Sequence, residues 1–344
     1  PGPGVIVDKK VIIGITYKLT MTRTGAPLGQ PVIGYEPLPG FAYPTDQIRA
    51  LGTDGPRYLP IAQTTNSMTV IINNASANGQ IYDYIEPLMR YTAHRDYDET
   101  QLSLAPCLQD QFQDFGDFLY YGSSRNVLGA YGENSYQSTR GGFPLIWIAQ
   151  NDLGDGLPGT VTTAVVYLTS YEPIFVSPCD FGTVNQRGFY GVNTFRLTLN
   201  TTGDLSRVWC HNSNAAKGGW ALTSVNCVIA PNGDTVTYSN GINTGLPALY
   251  FNYLTPKILE NVPSFNVYPY YYLDDQAFQD VKTVAPFSEA TYKTNAFKLD
   301  SVPKYLYVYV RKSNSTRTYS DTDTYAFIKN VSLTFANSSN LLAS

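Results

Sequence analysis

At 344 residues the chain is long enough for one large β domain or two of ordinary size. Only 15% of its side chains are charged and its net charge is −4, with no basic run of the kind that neutralises phosphate, so direct nucleic-acid binding is disfavoured. No apolar run reaches the ~18 residues of a membrane span, and PGPGVIVDKK, which starts at Pro1 rather than Met, carries no signal-peptide pattern.

Aromatic residues make up 14% of the chain, with 28 Tyr against 16 Phe and 3 Trp. The charged share lies below the roughly 25% usual for soluble domains. Little charge and much tyrosine point to a surface spent in protein contacts, where tyrosine is enriched. The plainer alternative is a tyrosine-rich secreted β protein. Cys107, Cys179, Cys210 and Cys227 are widely spaced, form no CxxC pair, and are expected to be free buried thiols rather than a disulfide framework.

In chain order, Lys9–Thr22 alternates cleanly, with Val11, Ile13, Ile15, Tyr17, Leu19 and Met21 on the inner face and Lys10, Thr16, Lys18 and Thr20 largely outside. Thr24–Pro60 is rich in Gly and Pro without periodicity and is expected to be a long structured loop. Ser67–Asn73 is the next strand, closed by turn residues Asn73 and Asn74. Gly79–Arg95 and Cys107–Tyr121 carry apolar residues at helical spacing and are expected to be short inserted helices, Pro87 limiting the first. Tyr121–Phe143 is Gly/Ser/Asn-rich loop.

Strands resume at Phe143–Ala149 and Thr160–Phe175. Ser177–Gly188, with Pro178, Gly182 and Gly188, is the expected domain boundary or crossover. Beyond it, Asn193–Asn200 alternates Phe195, Leu197 and Leu199 against Thr194, Arg196 and Thr198. Further strands are expected near Ser206–Cys210, Val225–Ile229, Thr235–Tyr238, Ala248–Leu254 and Phe265–Tyr272, with Pro231–Asp234 (PNGD) as a hairpin turn. In Val302–Phe335, Tyr305, Tyr307 and Tyr309 point opposite to Leu306, Val308 and Val310, so this strand is expected to be covered on both sides and Val308 to be core. After a polar loop, Tyr325, Phe327, Val331, Leu333 and Phe335 share a face, with a bulge near Ile328–Asn330 where Lys329 interrupts the row.

About a dozen strand runs exceed the eight of a single jelly roll, and no 20–50-residue period points to a propeller or solenoid. The expected fold is all-β: two antiparallel jelly-roll sandwiches with short inserted helices and long loops, the first over residues 1–185 and the second over 186–344.

The search for chemistry returns no site. His94 lies beside Asp96, Asp98 and Glu99, where alternate acidic residues read more simply as a solvated face than as a metal or acid–base cluster. Cys210 and His211 are sequence neighbours, and neighbours on a strand face opposite ways, which bars a nucleophile–base pair unless the strand bends. No GxSxG, HExxH or Walker motif occurs. Asp321 with Asp323, and Asp274 with Asp275, lack the oxygen set of a calcium loop and read as turn caps. Sequons at Asn74, Asn200, Asn314, Asn330 and Asn337 matter only in a secreted chain. The run Tyr268–Asp275 (YPYYYLDD) suits a carbohydrate platform or a subunit contact, and the tyrosine-rich remainder favours the contact. No catalytic residue, cofactor site or metal site is therefore expected.

Several segments together resemble the major capsid proteins of the adenovirus-like lineage of double jelly-roll viruses, especially the Polinton and adintovirus group. They are VDKKVI, TNSMTVIINN (Thr65–Asn74), IEPLMRY (Ile85–Tyr91), APCLQDQFQDF (Ala105–Phe115), TRGGFPL (Thr139–Leu145) and YEPIFVSPCDFG (Tyr171–Gly182). GFYGVNTFRLTLN, LSRVWCH, KLDSVPKYLYVYVR and TDTYAFIKNVSLTFANSSNLLAS complete the series. The resemblance implies two upright jelly rolls, homotrimers forming pseudo-hexameric capsomers of an icosahedral shell, penton and minor capsid proteins as partners, residence in the virion, and no enzyme activity. Members often continue past a segment like LTFANSSNLLAS, which implies a chain short at its C-terminus or a compact second roll. Two rivals remain: a single jelly-roll capsid protein of a small-genome virus, which commonly carries a basic arm that this chain does not show, and a secreted carbohydrate-binding β-sandwich or glycosidase, which needs a placed carboxylate pair.

Overall fold

The computed structural model describes residues 5–24, 34–37, 48–51, 54–56, 59–79, 146–151, 161–179, 188–211, 222–234 and 245–255. Toward the C-terminus it describes 284–285, 288–299, 303, 306–310, 312, 317–321, 326–335 and 338–339. The chain divides into two units, Pro1–Leu273 with Thr318–Asp323, and Asp274–Arg317 with Thr324–Ser344.

The first unit is built on two long antiparallel strands. β2 (Ile12–Thr24) pairs with β9 (Val161–Pro173) along its whole length, from Ile12↔Pro173 to Thr24↔Val161. β2 shows the alternation its sequence carries: Val11, Ile13, Ile15, Tyr17, Leu19 and Met21 are buried, while Thr16, Lys18 and Thr20 are half-buried. Each β-branched or aromatic side chain on the inner face sits on the pleat it favours.

Around this pair grows a seven-stranded sheet. β8 (Ile146–Asn151) extends it beyond β9, followed by β4 (Ile48–Leu51) and β3 (Gly34–Pro37). On the other side of β2 lie β12 (Leu222–Ile229), paired with its second half, and β13 (Ala248–Tyr250), paired with Ile12–Gly14. A three-stranded sheet holds β6 (Thr65–Ile72) between β10 (Phe195–Thr201) and β7 (Ala75–Gly79). Two short ladders join β1 (Ile6–Val7) to β14 (Tyr253–Leu254), and β5 (Asp54–Pro56) to β11 (Trp209–His211).

The core lies between the two larger sheets. Ile13, Ile15, Tyr17, Leu19 and Met21 of β2, with Val166 and Leu168 of β9, cluster with Trp209, and Leu197 and Leu199 of β10 pack against them. A second cluster joins Met68 and Val70 of β6 to Val11, Ile174, Val176 and Phe189. Apolar faces of two antiparallel sheets closing on one core make a β-sandwich. A four-residue helix, α1 (Pro60–Gln63), and a 3-10 turn, Ser206–Val208, sit at its margin and are buried.

Several expectations need revision. Thr24–Pro60 contains the three short strands β3, β4 and β5, whose runs of three or four residues are too brief to show a period. Ser206–Cys210 is a 3-10 turn before a strand, because Asp204 Oδ1 accepts the Ser206 amide at 2.9 Å and starts a turn. The expected strand Ala248–Leu254 is two strands, β13 and β14, on different partners. β10 pairs with β6 and β12 with β2, so strand pairing passes across residue 185. The helices expected within 79–121, the loop 121–143 and the strands Thr235–Tyr238 and Phe265–Tyr272 lie outside the described residues, apart from Gly79, which ends β7.

In the second unit the described ladder is β15 (Thr334–Phe335) with β16 (Ser338–Ser339). Residues 306–310 do not form the covered strand expected of them. Leu306 and Val310 are exposed, Val308 is 50% exposed, and Phe327 is 93% exposed, whereas Tyr307 and Tyr309 are half-buried. The alternation is real, but the apolar face is the open one. Ala326 N–H donates to Val310 O at 2.8 Å, which brings the two segments together at that point. Among the described residues no ladder runs through 328–330.

Candidate functional site

Among the described residues, those singled out in the sequence do not converge. His94, Asp96, Asp98, Glu99, Asp274, Asp275, Asp323 and Tyr268–Tyr272 lie outside the described residues. Cys210 and His211 are consecutive on β11, opposite Gly55 and Asp54. Asp321 is a turn cap: its Oδ2 accepts the Thr318 amide at 2.6 Å and the Thr318 hydroxyl at 3.1 Å. Cys179 and Cys227 are buried and not joined in a disulfide, and burial pushes the Cys227 thiol pKa up, the state of an inert packing residue. Among the described residues no group of three or more His, Cys, Asp or Glu could hold a metal, and no helix is long and apolar enough to cross a membrane.

The polar groups that do converge lie where α1 meets the large sheet. α1 begins after Leu59, which has φ 46° and supplies no side-chain cap, so its first amides must be satisfied from elsewhere. Glu172 of β9 does this from 111 residues away: Oε1 accepts the Ile61 amide at 2.6 Å and Oε2 the Ala62 amide at 2.9 Å. The Ser170 hydroxyl also donates to Oε1, at 2.9 Å. Tyr17 of β2 reaches the other end of α1, its hydroxyl 3.0 Å from the Thr64 hydroxyl. Thr202 N–H of the small sheet's β10 end donates to Thr64 O at 2.8 Å. The short helix is thus fastened to both sheets.

Glu172 is 1% exposed. Burial raises its pKa to about 7 from 4.5, against the opposing pull of the Ile61, Ala62 and Ser170 hydrogen bonds. Burial likewise raises the Tyr17 hydroxyl, so it stays a neutral donor or acceptor.

A second polar cluster closes the Pro231–Asp234 turn onto the outer face. Asp234 N–H donates to Pro231 O at 3.2 Å, and Gly233 takes the positive φ of 78° that such a turn requires. Asp234 Oδ2 accepts from Lys18 Nζ at 2.7 Å and from the Tyr167 hydroxyl at 2.8 Å. The Asp234 hydrogen bond raises the Lys18 pKa.

Sequence reasoning missed Glu172, although a signal exists: Val166, Leu168, Ser170 and Glu172 recur at period 2 and share the buried face of β9. Neither cluster pairs a nucleophile with a base or offers an open acid–base pair. Both are structural polar joints.

Among its described residues the first unit is a β-sandwich fastened by these two polar joints. The family described as Sputnik virophage major capsid protein, first domain, matches residues 1–241, and the major capsid protein V20 C-terminal domain matches residues 272–344. The chain belongs to the family of Sputnik virophage major capsid proteins.

Among curated proteins it is similar to the putative capsid protein V20 of Sputnik virophage, at 24% identity over 353 aligned positions, covering all of this chain and 53% of the relative. The chain thus spans about half the length of that relative. Among solved structures it is similar to the Sputnik virophage particle determined by cryo-EM, at 20% identity and TM-score 0.46, over 76% of this chain and 44% of the other. A mavirus major capsid protein aligns at 12% identity and TM-score 0.36, over 66% and 42%.

Proposed function

We propose that the protein is a major capsid protein that builds an icosahedral shell by self-association, with no enzymatic role, and resides in the virion. The observation that carries this reading is the family match over residues 1–241, continued by a capsid C-terminal domain over 272–344. The sandwich supports it: a rigid two-sheet body can bury many modest surfaces against symmetry mates without needing a pocket.

The finer organisation follows the same line. Two jelly rolls stand upright in a homotrimer that presents a pseudo-hexagonal outline. Pairing across residue 185, together with family matches that meet between 241 and 272, favours a division between the rolls later than 185. The Gly-, Ser- and Asn-rich segment 121–143 supplies contacts around the threefold axis, as do the segments that link β3, β4 and β5 within 24–60. Neighbouring capsomers, penton proteins and minor capsid proteins are the partners, and sequence-specific nucleic acid is not one of them.

Light scattering on the size-exclusion peak tests this reading. A trimer or larger species is expected at micromolar concentration, and deletion of Leu128–Ser138 should weaken it. A monomer would argue for the carbohydrate-binding alternative, and a trimer unaffected by the deletion would make that loop a decoration.

A further inference from the structure

We propose that Glu172 is a proton-controlled fastening: α1 closes on the seven-stranded sheet with uptake of a proton and opens to water with its release. The geometry carries the argument. A carboxyl on the inner face of β9 is sealed under a four-residue helix whose leading amides it alone is shown to cap from a side chain. α1 is followed directly by β6 of the small sheet, so whatever loosens α1 loosens the joint between the two sheets.

Both protonation states fit the closed site in hydrogen-bond terms. Ionised, the carboxylate accepts from Ile61 N–H, Ala62 N–H and the Ser170 hydroxyl. When a proton from solvent adds to Oε1, the Ser170 hydroxyl turns from donor to acceptor, and Oε2 keeps the Ala62 amide. What separates the two states is hydration, because a buried carboxylate costs far more than a buried neutral acid.

Among the described residues, the neighbouring groups leave Glu172 as the one that titrates in the neutral range. β2 contributes Tyr17, and β12 contributes Cys227 beside it; burial keeps both protonated. The 3-10 turn against α1 contributes Arg207, which stays charged throughout. Asp204 lies near Cys227. β6 contributes the uncharged Thr65, whose hydroxyl donates to Ile61 O at 2.7 Å.

The direction follows from linkage. The closed form binds its proton with a pKa of about 7, against an ordinary 4.5 once the turn is open. Glu172 therefore favours closure fully below about pH 4.5, and this contribution declines as pH rises toward 7 and is gone above it.

Hydrogen exchange of the 344-residue chain tests the proposal, with the intrinsic pH dependence of exchange removed. Opening of the 59–65 segment should increase on the order of a hundredfold between pH 5 and pH 8. In Glu172→Gln the increase should vanish while the segment stays protected. Constant protection in the wild type, or an equal increase in the variant, would overturn the proposal. If the Gln variant does not fold, pH-difference infrared spectra of the wild type decide it. A protonated-carboxyl stretch lost with a midpoint near 7 supports the fastening, and its absence at pH 5 refutes it.

Discussion

Gly14 faces Tyr171 across the β2–β9 ladder, and a Cβ at position 14 would lie 2.8 Å from Tyr171 Cε1 and 3.0 Å from Tyr250 Cε2. The two tyrosine rings meet edge to face at a centroid distance of 5.6 Å, so neither ring can withdraw without breaking that contact. The glycine is what lets β13 and β9 bring their tyrosines together over β2. Gly14→Val should destabilise the first unit by roughly 1–3 kcal/mol through overpacking, read as a lower denaturation midpoint. An unchanged midpoint would show that the rings move aside freely.

Gly188 lies against backbone rather than a movable ring. Its Cβ would meet Ile6 Cγ2 and stand 2.6 Å from Val7 O. Val7 N–H donates to Phe189 O at 2.9 Å, and Phe189 N–H donates back to Val7 O at 2.6 Å. Gly188→Ala should force this bridge apart and cost about 1–3 kcal/mol, with faster hydrogen exchange at Val7. Retained protection at Val7 would contradict the close approach.

Asp234→Ala removes the acceptor shared by Lys18 and Tyr167. Both members of the ion pair keep more than a quarter of their side chains in water, so the loss should be no more than about 1 kcal/mol and should shrink at high salt. Because the folded Lys18 pKa is raised above 10.5, the pair's contribution is complete below about pH 10.5 and is lost as pH rises through the higher folded value. Thermal melts between pH 8 and 11 check the sign: the wild type should converge on the variant at the alkaline end.

Val308→Asp should leave the melting temperature of the isolated chain nearly unchanged, within about 0.5 kcal/mol of stability. The side chain is 50% exposed, so a carboxylate there stays hydrated. Loss of soluble, folded protein on this substitution would restore the buried strand inferred from sequence.

These cases show what the amino-acid pattern made legible. β2 could be read because one of its faces is apolar and the other polar, so period and burial agree. The Asn73–Asn74 turn could be read as well. Asn73 takes φ 52°, and its Oδ1 accepts the amides of Asn193 at 2.8 Å and Thr194 at 3.1 Å, a use of the side chain that turn chemistry alone does not specify. Residues 306–310 were misread because alternation reports which side chains share a face, and two apolar faces do not say which is covered. Glu172 was overlooked because a lone carboxylate beside Pro173 resembles a strand end. Its meaning depends on Ile61 and Ala62, more than a hundred residues earlier in the chain.

Electron microscopy of the purified protein at micromolar concentration tests the central claim most directly. Self-association into a shell protein predicts discrete capsomers of pseudo-hexagonal outline, three chains to each. A field of dispersed single chains, with no larger species as concentration rises, would contradict it.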